Sequence, residues 1–323
     1  MTGKKLEQGL LWDALIKNKG DFVSGESLAE QTGASRAAVW KEIKKMRDAG
    51  CRIKAAPRKG YCLEYMPDVI VPSLINRAVS DTIFSPKIHY IPSTSSTNDI
   101  LKDMARQGAP EGTALISDCQ TQGKGRLGRG WYSPPGEGLW MSVLLRPPVH
   151  PLYAGNFPLL TALSVSDAFI PYCPDIGVKW PNDLIWKGRK LAGILVEIGA
   201  ECEKINHMII GIGVNLRQEV FPGGLNGAVS LKQITGREIA RHDLICRILL
   251  NIHRDYGDYL KNGFAGFREK WLGRAVHMGR LISVMDGDRA VEGYFVDLTR
   301  QGELVLDVKG ERVTVRSGDV ALQ

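Results

Sequence analysis

Hydrophobic periodicity changes twice along this 323-residue chain, and the change restricts the folds that the chain can adopt. Apolar residues recur at helical spacing near the start, and helical and alternating patterns then mix through a long middle stretch. After about Arg274, short alternating segments are separated by glycine-containing turns. These shifts, and a length beyond that of one ordinary domain, predict three domains. The predicted boundaries are residues 1–65, a linker at 66–72, residues 73–272 and residues 273–323.

The middle and last segments predict an α+β domain followed by a small β domain. In the middle segment the patterns predict strands at 114–117, 139–145, 191–197 and 207–216, and helices at 97–106, 156–169 and 242–261. Such a mixture favours a mixed or largely antiparallel sheet. The last segment predicts a small SH3-like β-barrel with strands at 281–284, 290–296, 303–308 and 312–315. A domain of this size buries little core alone, so we expect it to lean on the middle domain.

The first domain has the pattern of a winged helix-turn-helix. Ser35 stands at the N-cap position of a third helix. Val39, Ile43 and Met46 then give that helix one apolar face. Two strand-like pieces follow, joined by a basic turn at residues 57–60. In this fold the third helix enters the major groove of DNA, and the wing reaches the flanking phosphates.

Positive charge is concentrated in the same domain. Residues 1–65 hold 13 lysines and arginines against 8 aspartates and glutamates, a formal charge of +5, whereas the other 258 residues carry +2. A localised basic excess indicates a polyanionic partner, although a charged interaction module with a solvated face fits the same pattern. The predicted DNA-contacting residues are Ser35, Arg36, Ala37, Trp40, Lys41, Lys44, Arg58 and Lys59.

A glycine-rich basic loop at residues 123–131 follows one predicted strand. It contains a G-x-G-x-x-G pattern, but Pro134 and Pro135 exclude the helix that a dinucleotide fold needs there. Gly125 follows Lys124 where a Walker A loop requires Ser or Thr, which excludes that motif too. Glycines spaced between Lys124, Arg126 and Arg129 suit an anionic ligand. A mobile basic surface loop is the alternative.

Several further motifs occur in a fixed order around this loop. They are Ser96-Thr97-Asn98, Gln120, the 123–131 loop, Lys179-Trp180-Pro181-Asn182-Asp183, Lys190-Leu191-Ala192-Gly193-Ile194-Leu195-Val196-Glu197 and Gly211-Ile212-Gly213-Val214-Asn215. Taken together they resemble the biotin protein ligases, and the resemblance covers most of residues 90–216. With a helix-turn-helix in front and a small barrel behind, the whole chain is similar to bifunctional ligase/biotin-operon repressors. Lys124 stands where the family commonly has Arg, which keeps the charge without the planar fork.

The resemblance implies an ATP- and magnesium-dependent, AMP-forming ligase. Biotin carboxylate attacks the α-phosphate of ATP to give biotinyl-5′-AMP, and a lysine of a biotin-accepting carboxylase domain then takes the biotin. Lys179 is the implied catalytic cation. The implied biotin- and adenylate-binding residues are Ser96, Thr97, Asn98, Gln120, Lys124, Gly125, Arg126, Arg129, Trp131 and Lys179. Asp183 is the implied magnesium ligand, with a turn-forming role as the alternative.

The same resemblance implies two further partners. One is operator DNA of biotin-synthesis genes, with biotinyl-AMP as corepressor. The other is a second copy of the chain, in a homodimer that forms when adenylate is bound. Six scattered cysteines and the lack of an apolar run of about 18 residues lead us to expect a reduced, cytoplasmic protein without membrane contact. Three other hypotheses stay open: a monofunctional ligase that binds no operator, a metabolite-sensing repressor without catalysis, and a lipoate ligase.

Overall fold

The computed structural model describes residues 8–286 and 289–322, and three helices and a two-stranded hairpin form its first domain. These elements are α1 (Gln8–Lys17), α2 (Gly25–Thr32), α3 (Arg36–Asp48), β1 (Arg52–Ala56) and β2 (Gly60–Tyr65). Ser24 and Ser35 cap α2 and α3, each accepting a hydrogen bond from the backbone N–H three residues later. Val39, Ile43 and Met46 are buried in a core separate from that of the central sheet, and Leu74 also contributes to this core. The predicted winged helix-turn-helix is confirmed.

The middle domain is built on a seven-stranded mixed sheet. Its elements are α4 (Pro72–Ala78), β3 (Ile88–Thr94), α5 (Thr97–Arg106), β4 (Ala114–Gln120), β5 (Gly138–Leu145), α6 (Asn156–Phe169), β6 (Gly177–Lys179), β7 (Asp183–Trp186), β8 (Arg189–Glu201), β9 (Lys204–Asn215), α7 (Leu231–Thr235), α8 (Arg241–Asn262) and α9 (Ala265–Arg274). The strand order is β3-β4-β5-β9-β8-β7-β6. Only β3 and β4 run parallel among its neighbouring pairs. The predicted mixed sheet is therefore confirmed.

Both faces of the sheet are covered by helices. Every residue of β5 is buried, and successive side chains enter different cores. Leu144 packs with Leu101 of α5 on one face, whereas Leu145 belongs to the larger core that includes α6 and α8. This arrangement explains why β5 is apolar at nearly every position, with Ser142 as the exception, and does not alternate with polar residues.

The C-terminal domain is a five-stranded antiparallel sheet that packs on the middle domain. Its strands are β10 (Leu281–Asp286), β11 (Arg289–Leu298), β12 (Leu304–Val308), β13 (Glu311–Val315) and β14 (Val320–Leu322), in the order β13-β12-β11-β10-β14. The Trp271 ring of α9 meets Phe295 edge-on at 6.2 Å, and both belong to the main core. The indole N–H of Trp180 donates to Gly302 O at 3.0 Å. These contacts agree with the expectation that this small domain packs against the middle domain.

The segment at 66–72 is held firmly against the middle domain. Asp68 accepts hydrogen bonds from the backbone N–H of Arg241 at 2.9 Å and from its Nε at 2.8 Å. Arg217 also pairs with Asp68, and Nη1 of Arg241 pairs with Asp118, both at 2.5 Å. The sequence predicted a linker here and missed α4, whose first residue is Pro72. The predicted domain boundaries themselves stay predictions.

Across residues 8–286 and 289–322, each helix is too short or too polar to cross a lipid bilayer.

We expect Asp68→Ala to lower the free energy of unfolding by about 3 kcal/mol, because it leaves the buried Arg241 and the half-buried Arg217 short of a counter-charge. Urea unfolding followed by tryptophan fluorescence measures this loss. Asp103→Ala is the matched control, because Asp103 pairs with Arg106 on an exposed helix surface. That control should cost less than about 0.5 kcal/mol. Equal losses in the two variants would contradict a special role for Asp68.

Candidate active site

A cavity of about 440 Å³ opens between the central sheet, the glycine-rich loop and the C-terminal domain. All residues that the sequence analysis assigned to ligand binding line it, and so does Asp183. They are Ser96, Thr97, Asn98, Gln120, Lys124, Gly125, Arg126, Arg129, Trp131 and Lys179. The motifs are far apart in sequence, and the fold brings them to one place because they lie at the ends of α5, β4 and β6 and along β8 and β9.

A network of amide and hydroxyl groups forms one side of the cavity. The backbone N–H and the hydroxyl of Thr97 both donate to Gln120 Oε1, at 2.9 and 3.0 Å. Ser142 Oγ lies 2.6 Å from Asn98 Oδ1, and Asn98 Nδ2 donates to Glu197 at 2.8 Å. These bonds fix the side chains in advance of any ligand, so a polar ring would meet donors and acceptors that are already oriented.

Ser96 differs from its neighbours in this network. It occupies the N-cap position of α5, and it is buried, yet its side chain caps no backbone N–H. Ser96 lines the cavity beside Thr97 and Asn98. A hydroxyl at the cavity wall can donate a hydrogen bond to a ligand or accept one from it.

The glycine-rich loop folds back on itself, and each of its three cations is already paired. The Gly125 N–H donates to Arg129 O at 2.7 Å, which closes the turn. Lys124 contacts Asp99 at 2.6 Å. Arg126 and Arg129 share Asp319 of the C-terminal domain, at 3.0 and 2.5 Å. The loop is therefore tied to two other parts of the chain.

Trp131 lies flat against paired glycines of the sheet. Gly193 and Gly213 are direct partners in the β8–β9 ladder, and a Cβ on either would come within 2.9 and 2.5 Å of the Trp131 ring. The indole N–H is buried and has no hydrogen-bond partner within residues 8–286 and 289–322, and Lys190 Nζ lies 5.2 Å from the ring centroid. The two glycines thus leave room for the Trp131 ring on the cavity floor.

The Lys179–Asp183 motif is fixed by its own polar bonds. Asn182 Nδ2 donates to Ile194 O at 2.6 Å, while the Ile194 N–H donates to Asn182 O at 3.0 Å. Asp183 pairs with Lys190 at 2.7 Å. The side chain of Asn182 is therefore engaged in joining the motif to β8.

Two lysines of the cavity have different surroundings. Lys190 is paired with Asp183, whereas Lys179, at the end of β6, has no carboxylate partner among the described residues. Burial, together with the positive charges of Lys179 and Arg280, holds the pKa of the nearby His277 below its ordinary value. His277 is consequently neutral at pH 7 and adds no charge beside Lys179.

Sequence reasoning assigned no role to two residues that line this cavity, Lys190 and Asp319. Lys190 begins a motif that was recognised only as a block, and its position after a hairpin was the available signal. Asp319 lies 193 residues beyond Arg126, and no local pattern signals that contact.

The predicted DNA-contacting residues lie on α3 and at the wing tip, apart from the cavity. Arg36, Ala37, Trp40, Lys41 and Lys44 are exposed along α3, with Trp40 56% exposed. Ser35 caps the helix, and Arg36 pairs with Glu26 on the surface. Arg58 and Lys59 are exposed in the turn between β1 and β2.

Family models match all three domains of the chain. The model described as the biotin/lipoate A/B protein ligase family matches residues 90–215. A helix-turn-helix domain model matches residues 8–62, and the biotin protein ligase C-terminal domain model matches residues 277–323.

Curated relatives and solved structures agree with these matches. The bifunctional ligase/repressor BirA of Bacillus subtilis is 33% identical over 94% of this chain and 94% of its own length. BirA of Escherichia coli is 30% identical over 96% and 95%. The biotin protein ligase of Aquifex aeolicus, solved with biotin and ATP, superposes with a TM-score of 0.65 at 28% identity, covering 73% of this chain and 98% of that one. The chain therefore belongs to the family of bifunctional biotin protein ligases and repressors.

Proposed function

We propose that this chain activates biotin with ATP and transfers it to a lysine of a biotin-accepting carboxylase domain. The observation that carries the proposal is the charge pattern of the cavity. Four of its cations are each paired with a carboxylate, whereas Lys179 has no such partner among the described residues. A cation that is free inside a preformed cavity can bind an anionic substrate without breaking an existing ion pair.

In the first step an oxygen of the biotin carboxylate bonds to the α-phosphorus of ATP, and the bond to the β-phosphate oxygen breaks, releasing pyrophosphate. We assign Lys190 to the biotin carboxylate, because it already holds the carboxylate of Asp183 at 2.7 Å. Lys179 then stabilises the charge that builds up on the α-phosphate. The protein's contribution is orientation and charge, since no proton has to move in this step.

The polar network is assigned to the ureido ring of biotin. The hydroxyl of Ser96 and the oriented amides of Asn98 and Gln120 offer both donors and acceptors to it. Trp131 and the basic loop would cover the bound adenylate and keep water from its anhydride bond. In the second step the acceptor's lysine amine attacks the biotinyl carbonyl carbon, AMP leaves, and the amine loses a proton.

Magnesium is proposed to arrive with ATP and not in a cage of protein ligands. The described residues contain no cluster of three or more His, Cys, Asp or Glu side chains suited to a metal. A single cavity carboxylate such as Asp183 fits an ion that is held mainly by phosphate oxygens and water. Bound there, the ion would neutralise charge on the phosphates.

We expect Lys179→Ala to slow pyrophosphate release by about 10²–10³-fold at saturating biotin, because it removes a charge that matters most in the transition state. Lys190→Ala should instead raise the KM for biotin, because Lys190 is assigned to the biotin carboxylate, which carries its charge before the reaction begins. Steady-state pyrophosphate release measures both variants.

Lys261→Ala removes an equal charge from an exposed site at the end of α8 and serves as the control. Identical kcat and KM effects in the two cavity variants would contradict the division of roles. Activation of lipoate in place of biotin by the wild type would overturn the substrate assignment.

We further propose that the first domain binds operator DNA and represses biotin-synthesis genes. The exposed, basic outer side of α3 and the basic wing tip support this, because groove entry needs base-edge donors flanked by phosphate contacts. A charged module that binds another protein would not show the steep salt dependence of DNA binding.

We expect Lys44→Ala to weaken binding to the operator and to random duplex alike, and to reduce the slope of log affinity against log salt by about 0.9, the share of one phosphate. Fluorescence anisotropy at several salt concentrations measures both quantities. Lys261→Ala removes a charge from α8, outside the first domain, and should leave the slope unchanged. A wild-type affinity independent of salt would be incompatible with a DNA-binding role.

The adenylate is proposed to favour a homodimer, the form that places two recognition helices on a palindromic site. A bound adenylate would add contacts to the 123–131 loop and restrict its motion further, which lowers the entropy cost of burying the loop against a second copy. Leu127 of this loop is 74% exposed and offers an apolar contact for that purpose.

Sedimentation equilibrium should show dimerisation tightened by about 5–150-fold with a non-hydrolysable biotinyl-AMP analogue. Leu127 has a positive φ, and asparagine tolerates that backbone conformation. Leu127→Asn should therefore remove the apolar contact without straining the backbone, and part of the gain in dimerisation should be lost. Equal dimerisation constants with and without the analogue would refute the coupling.

A further inference from the structure

One carboxylate of the C-terminal domain pairs with both arginines of the glycine-rich loop. Arg126 and Arg129 contact the two different oxygens of Asp319, at 3.0 and 2.5 Å. Arg126 Nη1 also donates to the backbone carbonyl of Gly318 at 3.0 Å. The three charged side chains therefore form a group with a net charge of +1 at the mouth of the cavity that all three line.

The backbone on each side fixes the position of Asp319. Val320, the next residue, pairs with Val284 in the antiparallel β14–β10 ladder. A Cβ at Gly318, the residue before, would lie 2.3 Å from Met285 O, so the chain passes β10 closely there. Asp319 thus remains near the loop even when a ligand takes hydrogen bonds from the arginines.

A fixed negative charge at this distance repels every anion that approaches the arginines. By Coulomb's law, the energy of this repulsion grows in proportion to the charge of the ligand. The repulsion is absent for a neutral ligand and acts on one charge in a phosphodiester-like group. It is several times larger for pyrophosphate or ATP, which carry several charges. The charge of Asp319 therefore affects multiply charged ligands most.

We propose that Asp319 is a specificity-determining residue that sets which anions the loop retains. It allows the arginines to hold a singly charged acyl-adenylate and weakens their hold on polyphosphates. The identity of the adenylate rests on the proposed function, whereas the discrimination between charges rests on the Arg126–Asp319–Arg129 contacts alone. In the proposed reaction this residue would favour departure of pyrophosphate while the intermediate stays bound.

The test compares three probes on wild type and Asp319→Asn in metal-free buffer: inorganic pyrophosphate, biotinyl-AMP and the uncharged biotinamide. At a separation of roughly 8 Å in a water-like dielectric, removing the charge should tighten binding about two- to threefold per unit of ligand charge. We expect about a tenfold gain for pyrophosphate, a two- to threefold gain for biotinyl-AMP and no change for biotinamide. Isothermal titration of the full chain measures all three.

Two variants control for structure and for overall charge. Asp319→Glu keeps the negative charge and should restore the wild-type order of affinities. Asp307→Asn makes the same charge change on β12 of the same domain, where the Asp307 side chain accepts a hydrogen bond from the local Gly310 N–H at 2.7 Å. It should alter none of the three affinities. The same gain for all three probes, or no gain for pyrophosphate, would overturn the proposal. A wild type that fails to bind biotinamide and biotinyl-AMP would refute the proposed function, while the pyrophosphate comparison would still decide the role of Asp319.

Discussion

The long antiparallel pairing of β8 with β9 is the interaction on which the rest of this site depends. Its ladder places Gly193 opposite Gly213, and the missing side chains leave space for the Trp131 ring. Gly211 leaves room in the same way for Asn98, because a Cβ there would come within 2.4 Å of the Asn98 amide oxygen. Strand β8 of this pair also carries Lys190, its second residue, and the Ile194 carbonyl that holds Asn182. A single ladder thus supplies the floor of the cavity, one of its cations and the support of the Lys179 motif.

The chain's own patterns predict much of this fold, because most of its elements are locally determined. The predicted helix at 97–106 agrees with α5, which begins after Ser96, and α6 likewise matches its prediction at 156–169. The parallel strand β3 was missed, since its burial does not alternate regularly and its partner β4 lies beyond a helix. The helix α4 was missed because its first residue, Pro72, ends the stretch predicted as a linker, whereas proline also fits the first turn of a helix.

For the site, the sequence identified the motif residues that line the cavity but not how they pair. Glycine spacing and charge mark the loop, so Arg126 and Arg129 were found. Their partner Asp319 follows the last turn of a different domain, and a contact of that kind depends on the packing of domains. The pairing of Lys190 with Asp183 required the register of β7 against β8, which a one-residue shift would change.

Charged contacts of this kind also connect the three domains, and their burial differs. Asp68 and Arg241 are largely withdrawn from water, so their bonds fix the segment that follows the first domain. Arg129 is largely exposed where it meets Asp319, and an exposed pair contributes little to stability. A weak pair can be exchanged for a ligand phosphate at small cost, whereas the buried one cannot. The difference in burial therefore places the firm connection at the first domain and the exchangeable one at the mouth of the cavity, where a ligand has to enter and leave.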